Sequence, residues 1–93
     1  MIEKKLVDLC KRYGIIFLGI FGSYATGSFT PQSDLDLMVR FEDRKSLLEI
    51  VRIEREISES IGLKVDLLTE KSINPYIKDR INKEMKVIYD GKG

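Results

Sequence analysis

The 93-residue chain contains no histidine. That removes imidazole general bases, histidine-based triads and most zinc sites. It contains a single cysteine, Cys10, so no disulfide can close within the chain. A lone cysteine inside a helical pattern reads as a small buried apolar residue rather than a nucleophile. Long hydrophobic runs are missing too. The longest, IIFLGIF at 15–21, is far short of the roughly 20 residues that cross a bilayer, so no membrane association is expected. No targeting segment is visible, and the expected location is the cytoplasm. Neither sign of charge dominates: 16 Lys and Arg stand against 15 Asp and Glu, a net charge of +1. Broad electrostatic capture of nucleic acid calls for a basic stripe or a high pI, so a nucleic-acid partner is not expected. A nucleotide ligand stays open. Glutamine is scarce, with Gln32 alone, while Lys, Glu and Ile abound, a weak lean toward a heat-adapted source. Any chemistry must then rest on carboxylates, hydroxyls, Lys, Arg or a hard metal ion.

The length suits one domain, residues 1–93, burying roughly 65% of its unfolded surface in one modest core. No repeat, low-complexity segment or long linker divides it. Residues 2–13 place Ile2, Leu6, Leu9 and Tyr13 at helical spacing, with Gly14 where a left-handed cap belongs. Residues 15–21 are a continuous apolar run, a buried strand. Residues 22–33 are rich in Gly, Ser and Thr and form a loop, with a helical turn starting near Ser23. Residues 34–41 alternate as a strand, Leu35, Leu37 and Val39 on one face and Asp34, Asp36 and Met38 on the other. Ser46 and Glu49 form a capping box that opens a second helix, for which Leu47, Ile50, Val51, Ile57 and Ile61 supply the apolar stripe and Gly62 the end. Residues 63–69 alternate as a third strand. Asn74-Pro75 starts a last helix carrying Ile77, Ile81 and Met85, and 86–90 read as a short final strand.

The predicted order is α-β-β-α-β-α-β: an α/β (α+β) domain with helices packed on a mixed sheet of about four strands. A loop joins the first two strands, which suits an antiparallel pair. A helix joins the second to the third, which suits a parallel crossover.

Within this frame the acids stand out. Asp34 and Asp36 share a strand face about 6.6 Å apart. Two carboxylates that close raise each other's pKa unless a cation intervenes. Asp66 lies in a strand that otherwise reads as core, and a buried carboxylate needs a partner. With the third strand beside the second, Asp66 faces the same side. Three carboxylates on one face suit magnesium, and can hold two ions roughly 3.5–4 Å apart for in-line phosphoryl or nucleotidyl displacement. Each acid has a plainer reading. The Asp34/Asp36 pair alone is a solvated strand end, and Asp66 alone is an ion-pair partner of Lys64, Lys71 or Arg80. The set taken together, behind its glycine-rich loop, favours the metal. Gly22 directly follows a buried strand and permits close backbone approach to a ligand, and Ser23 offers a hydroxyl and an N–H to an anion.

Gly22-Ser23, ten residues, then Asp34-Leu35-Asp36 match the signature of the nucleotidyltransferase superfamily. The wider context, FGSYATG, SDLDLMV and KVDLL, with the closing RINKEMKVIYDG, resembles the minimal nucleotidyltransferases of bacteria and archaea over nearly the whole chain. These occur as antitoxins paired with HEPN-domain toxins. The resemblance implies the nucleotidyltransferase fold. It also implies that Asp34 and Asp36 bind magnesium, and that Asp66 completes the triad and helps activate the attacking hydroxyl. Gly22 and Ser23 would hold the triphosphate, and Ser33 would belong to the nucleotide-binding loop and fix it by a local hydrogen bond. The implied reaction transfers AMP from ATP to a hydroxyl, a tyrosine of a HEPN-domain partner, and releases pyrophosphate. The alternative is an antitoxin of weak activity that neutralises its partner by contact. Transfer to a small molecule or an RNA end is disfavoured by the missing substrate domain. Many relatives have arginine where this chain has Thr26; Arg40 and Arg44 are candidate replacements. The oligomeric state stays open, a homo-oligomer included.

Overall fold

A computed structural model describes residues 2–91 of the chain. Helix α1 covers Ile2–Tyr13 and strand β1 Ile15–Phe21. A single helical turn, α2, covers Ser23–Thr26, where the sequence predicts one, and β2 follows at Leu35–Phe41. Helix α3 spans Leu47–Ile61 and β3 Val65–Thr69. A 3-10 turn at Glu70–Ser72 leads into α4, Pro75–Glu84, and β4 closes at Lys86–Asp90.

The start and stop signals act as their chemistry dictates. The Ser46 hydroxyl accepts from the Glu49 N–H, and the Glu49 carboxylate accepts from the Ser46 N–H, each at 3.2 Å. Those bonds hold the Glu49 carboxyl below its usual range. The Asn74 side chain accepts from the Tyr76 N–H at 2.9 Å and Pro75 takes the first helical position. Gly62 ends α3 in the left-handed conformation.

The sheet order is β3-β2-β1-β4. β1 is antiparallel to β2 and β2 is parallel to β3, as their connections predict, and β4 adds to the far edge antiparallel to β1. Helices α1 and α3 cover one face. There Leu6, Leu9, Cys10, Leu18, Leu35, Leu37, Val39, Ile53, Ile57, Val65 and Leu67 form the main core. Burial pushes the Cys10 thiol up to about 12, so it stays protonated and serves as filler. On the opposite face a smaller cluster of Phe21, Met38, Ile73 and Ile81 sits beneath α4. The open edge of β3 is covered by α3: the Glu54 carboxylate accepts from the Leu67 N–H at 2.7 Å. That bond satisfies a donor that an edge strand would otherwise present to other chains.

Two expectations change. The stripe of α3 that meets the sheet runs through Ile53 and Ile57, with Ile50 and Ile61 at its margins. Leu47 and Val51 are exposed, at 76% and 51%. They lie about a third of a turn round the helix from the buried line, and spacing by three and four alone did not separate the two rows. The second strand begins at Leu35 and the third at Val65, so Asp34 and Lys64 precede their strands.

Candidate active site

The acids are set by strand register. Phe21 of β1 pairs with Asp36 of β2, and Asp36 pairs with Asp66 of β3. The three residues form one row across the sheet, with adjacent strands about 4.8 Å apart. Alternation sends Leu35, Leu37, Val65 and Leu67 into the main core, which places Asp36 and Asp66 on the opposite face with Met38 and Leu68. Asp34 stands one residue ahead of β2, and its charge acts on Asp36 together with that of Asp66. The Asp36 carboxyl is pushed above its ordinary value, first by burial and then by repulsion from Asp66 and Asp34. Among the described residues no cation pairs with any of the three.

Asp66 corrects the sequence reading. It is exposed rather than buried, although Val65 and Leu67 on either side are core. Strand alternation inside an otherwise apolar run explains the difference: one face of β3 is covered and the other open. Lys64, Lys71 and Arg80 do not pair with it; Arg80 pairs with Glu84 on its own helix.

The loop ahead of β2 brings its backbone against Asp36. Gly22 has φ 74 and ψ −150, a region essentially closed to other residues. A Cβ there would also collide with Oδ2 of Asp36. Two independent constraints therefore demand glycine, and the second ties the loop to the acid. Ser23 opens α2, and the N–H groups of Ala25 and Thr26 both turn back to the Gly22 carbonyl at 3.0 and 3.2 Å. The Ser28 N–H donates to the Ser23 carbonyl at 3.0 Å, and the Thr26 and Ser28 hydroxyls bond each other at 2.9 Å. The Ser33 hydroxyl accepts from the Thr30 N–H at 2.9 Å while the Ser33 N–H donates to the Thr30 carbonyl at 3.0 Å, the local lock expected of it. Tyr24 and Phe29 stack with ring centroids 4.5 Å apart and planes 4° from parallel, and Tyr24 packs against the main core, tying the loop to the sheet.

The donor set at this site is three carboxylates with no sulfur or imidazole. It suits a hard divalent cation held by one or two carboxylates and substrate phosphates. Among the described residues no three His, Cys, Asp or Glu side chains are already gathered around a metal-sized point. The fit therefore rests on the Asp36–Asp66 register and on donor chemistry.

The candidate replacements for an arginine at position 26 do not reach this site. Arg40 sits toward the other end of β2, bound to Glu70 at 2.6 Å and lying over the Phe17 ring. Arg44 lines a separate cavity of about 500 Å³ with Phe41, Ile50 and Lys71, at the carboxyl ends of β2 and β3. Sequence reasoning gave Arg80 only an ion-pair role. In the fold it lines a cavity that contains Gly22 itself. No local pattern marks it, because the approach of α4 to the end of β1 is long-range.

Comparison with known proteins agrees with this geometry. The family described as "Nucleotidyltransferase domain" matches residues 2–88. A Methanocaldococcus jannaschii protein, provisionally named a protein adenylyltransferase, is 42% identical over 83 residues, 89% of each chain. The protein adenylyltransferase MntA of Thermococcus cleftensis is 35% identical over 78 residues, 84% of this chain and 79% of that one. Among solved structures, a provisionally named minimal nucleotidyltransferase superposes with a TM-score of 0.77 at 31% identity, covering 90% of this chain and 86% of the other. A toxin–antitoxin structure with AMP-PNP shares the fold, with a TM-score of 0.83 at 20% identity over 95% of this chain and 73% of its own. With the family match spanning almost every described residue and relatives this similar over most of their length, the chain belongs to the nucleotidyltransferase family, in its minimal branch.

Proposed function

We propose that the chain is a magnesium-dependent protein adenylyltransferase that moves AMP from ATP onto a tyrosine hydroxyl of a HEPN-domain partner, and so acts as an antitoxin. The observation that carries this reading is the register of Asp36 with Asp66, next to a glycine whose backbone lies directly against the Asp36 carboxylate. Gly22 and Ser23 hold the phosphate tail, with the loop held in shape by Ser33. Asp34, Asp36 and Asp66 would hold magnesium, which when bound neutralises phosphate charge. The hydroxyl oxygen of the acceptor forms a bond to the α-phosphorus, and the bond from that phosphorus to the bridging oxygen breaks. Pyrophosphate carries the electron pair away. Asp66, the most open of the acids, takes the hydroxyl proton. The relatives named protein adenylyltransferases and the toxin–antitoxin structure with a nucleotide analogue support this assignment.

The test is transfer of labelled AMP from ATP to a co-expressed HEPN-domain protein, with magnesium present. Label should appear on tyrosine, and Asp36→Asn and Asp66→Asn should each reduce the rate about a hundredfold or more. Equal labelling by wild type and both variants would refute the reading.

One observation favours neutralisation by contact as the second reading. Leu47, Leu48 and Val51 form an exposed apolar triangle on the first turns of α3, and Tyr76 and Ile77 are exposed on α4. If contact suffices, Asp36→Asn still protects cells from the toxin.

A further inference from the structure

We infer that Arg80, on α4, is the cation that grips the phosphate tail of the nucleotide. This inference rests on the nucleotide-transfer reading and adds to it a residue from outside the loop and the acids.

The argument begins with a charge deficit. The loop 22–33 contains no Lys or Arg, and three carboxylates stand at its end. A triphosphate seated on Gly22 and Ser23 would find N–H groups and hydroxyls there, and net negative charge beside them. Magnesium held by the acids would offset part of the phosphate charge, and a charged side-chain fork on the tail would offset more. The cavity that contains Gly22, about 240 Å³, is lined by Phe21, Gly22, Ile77, Arg80, Ile81 and Glu84. Among the described residues, Arg80 is the one cation on its wall.

The state of Arg80 suits the task. Its side chain is 80% exposed, and its bond to Glu84, at 3.6 Å, is made through Nε. An exposed pair of this kind contributes little to stability, so engaging a phosphate costs the fold little. The two terminal nitrogens of the guanidinium remain available as a planar fork, the geometry that meets phosphate oxygens two at a time. Phe21, Ile77 and Ile81 supply the apolar part of the cavity wall.

Five other cations are committed elsewhere or lie farther off. Arg40 is committed to Glu70. Arg44, Lys45 and Lys71 line the cavity at the far ends of β2 and β3. Lys64 shares the face of Asp66 but sits at β3, two strands from the end of β1, roughly 10 Å across the sheet.

The experiment measures binding of ATP and of inorganic tripolyphosphate, each with magnesium, by titration calorimetry. The proteins are wild type, Arg80→Ala, Arg80→Lys, Lys64→Ala and Arg44→Ala, with thermal unfolding as a check that each is folded. Arg80→Ala should weaken both ligands by tenfold or more, with a shallower salt dependence, and Arg80→Lys should recover part of the loss. Arg44→Ala should match wild type. If Arg80→Ala binds both ligands as wild type does, or if Lys64→Ala carries the loss instead, the assignment to Arg80 is overturned and the nucleotide reading stands. Loss for ATP without loss for tripolyphosphate would move Arg80 to the base or ribose and overturn the phosphate contact. Wild type binding neither ligand would overturn this inference together with the reading beneath it.

Discussion

The two faces of the sheet are made by the same strands and serve opposite ends. On the face under α1 and α3, β2 contributes Leu35, Leu37 and Val39, each no more than 1% exposed. On the face toward α4 the same strand contributes Asp36, then Met38, then Arg40. The first face concentrates burial, the dominant favourable term in folding. The second carries carboxylates that repel one another and leaves one of them exposed. A period of two lets a single seven-residue strand hold both. The lesson is that a small domain can carry an electrostatically unfavourable site when one continuous layer supplies the stability for it.

The largest effects should come from breaking the stable face. Leu37→Ala removes a fully buried side chain from the centre of the main core and should cost about 2–5 kcal/mol in denaturant unfolding. Nucleotide transfer per folded molecule should change little, because Leu37 points away from the acids. A selective loss of activity in the folded fraction would mean that the two faces are coupled.

Gly22→Ala attacks the boundary between loop and acid. The backbone strain alone is worth about 1–3 kcal/mol, and the new methyl group must displace the Asp36 carboxylate. Stability should fall by that amount, and transfer should fall more than for any other change in the loop. Ser46→Ala is the matched control on the stable layer. It removes the capping box of α3 and should lower stability by about 1 kcal/mol, measured by thermal unfolding, with activity retained.

What the sequence disclosed follows the range of the forces involved. Helix starts at Ser46 and Asn74, the turn at Ser23 and the stop at Gly62 are local, and the chemistry of two to four neighbours decides them. The pairing directions follow from connection length, so the mixed sheet was also legible. Asp34, Asp36, Gly22 and Ser23 were legible because their spacing lies within one hairpin. The placement of Asp66 beside Asp36 was anticipated, but its exposure was misjudged: Val65, Leu67 and Leu68 made the whole segment look buried, and alternation buries one side. The row of α3 that meets the sheet was misassigned, because Leu47 and Val51 satisfy helical spacing as well as Ile53 does. Arg80 needed the fold, since its neighbour Gly22 is 58 positions away in the chain.

The smallest effect separates the faces by sign. The Asp36 carboxyl has its folded pKa raised above the ordinary 3.8 by burial, Asp66 and Asp34. The native state therefore holds this proton more tightly than the unfolded chain does. Between the unfolded value and the raised one, the native state carries more protons, so this group lowers stability as pH rises through that window. Above that window the full penalty applies. The carboxyl is only partly buried, so solvent screening keeps the effect small. Glu49 has the opposite sign. Its pKa is lowered by the capping box, so its contribution is present above its ordinary 4.5 and is lost as pH falls. A single pH profile mixes the two, whereas the difference between wild type and Asp36→Asn isolates the acid face. The variant should unfold at a slightly higher temperature at pH 7 and converge with wild type toward pH 3.5. Magnesium at millimolar concentration should raise the unfolding temperature of wild type and leave that of Asp36→Asn nearly unmoved, because a ligand stabilises only the state that binds it. A variant less stable than wild type at pH 7 would place Asp36 among the residues that hold the fold, and the contrast between the faces would fail.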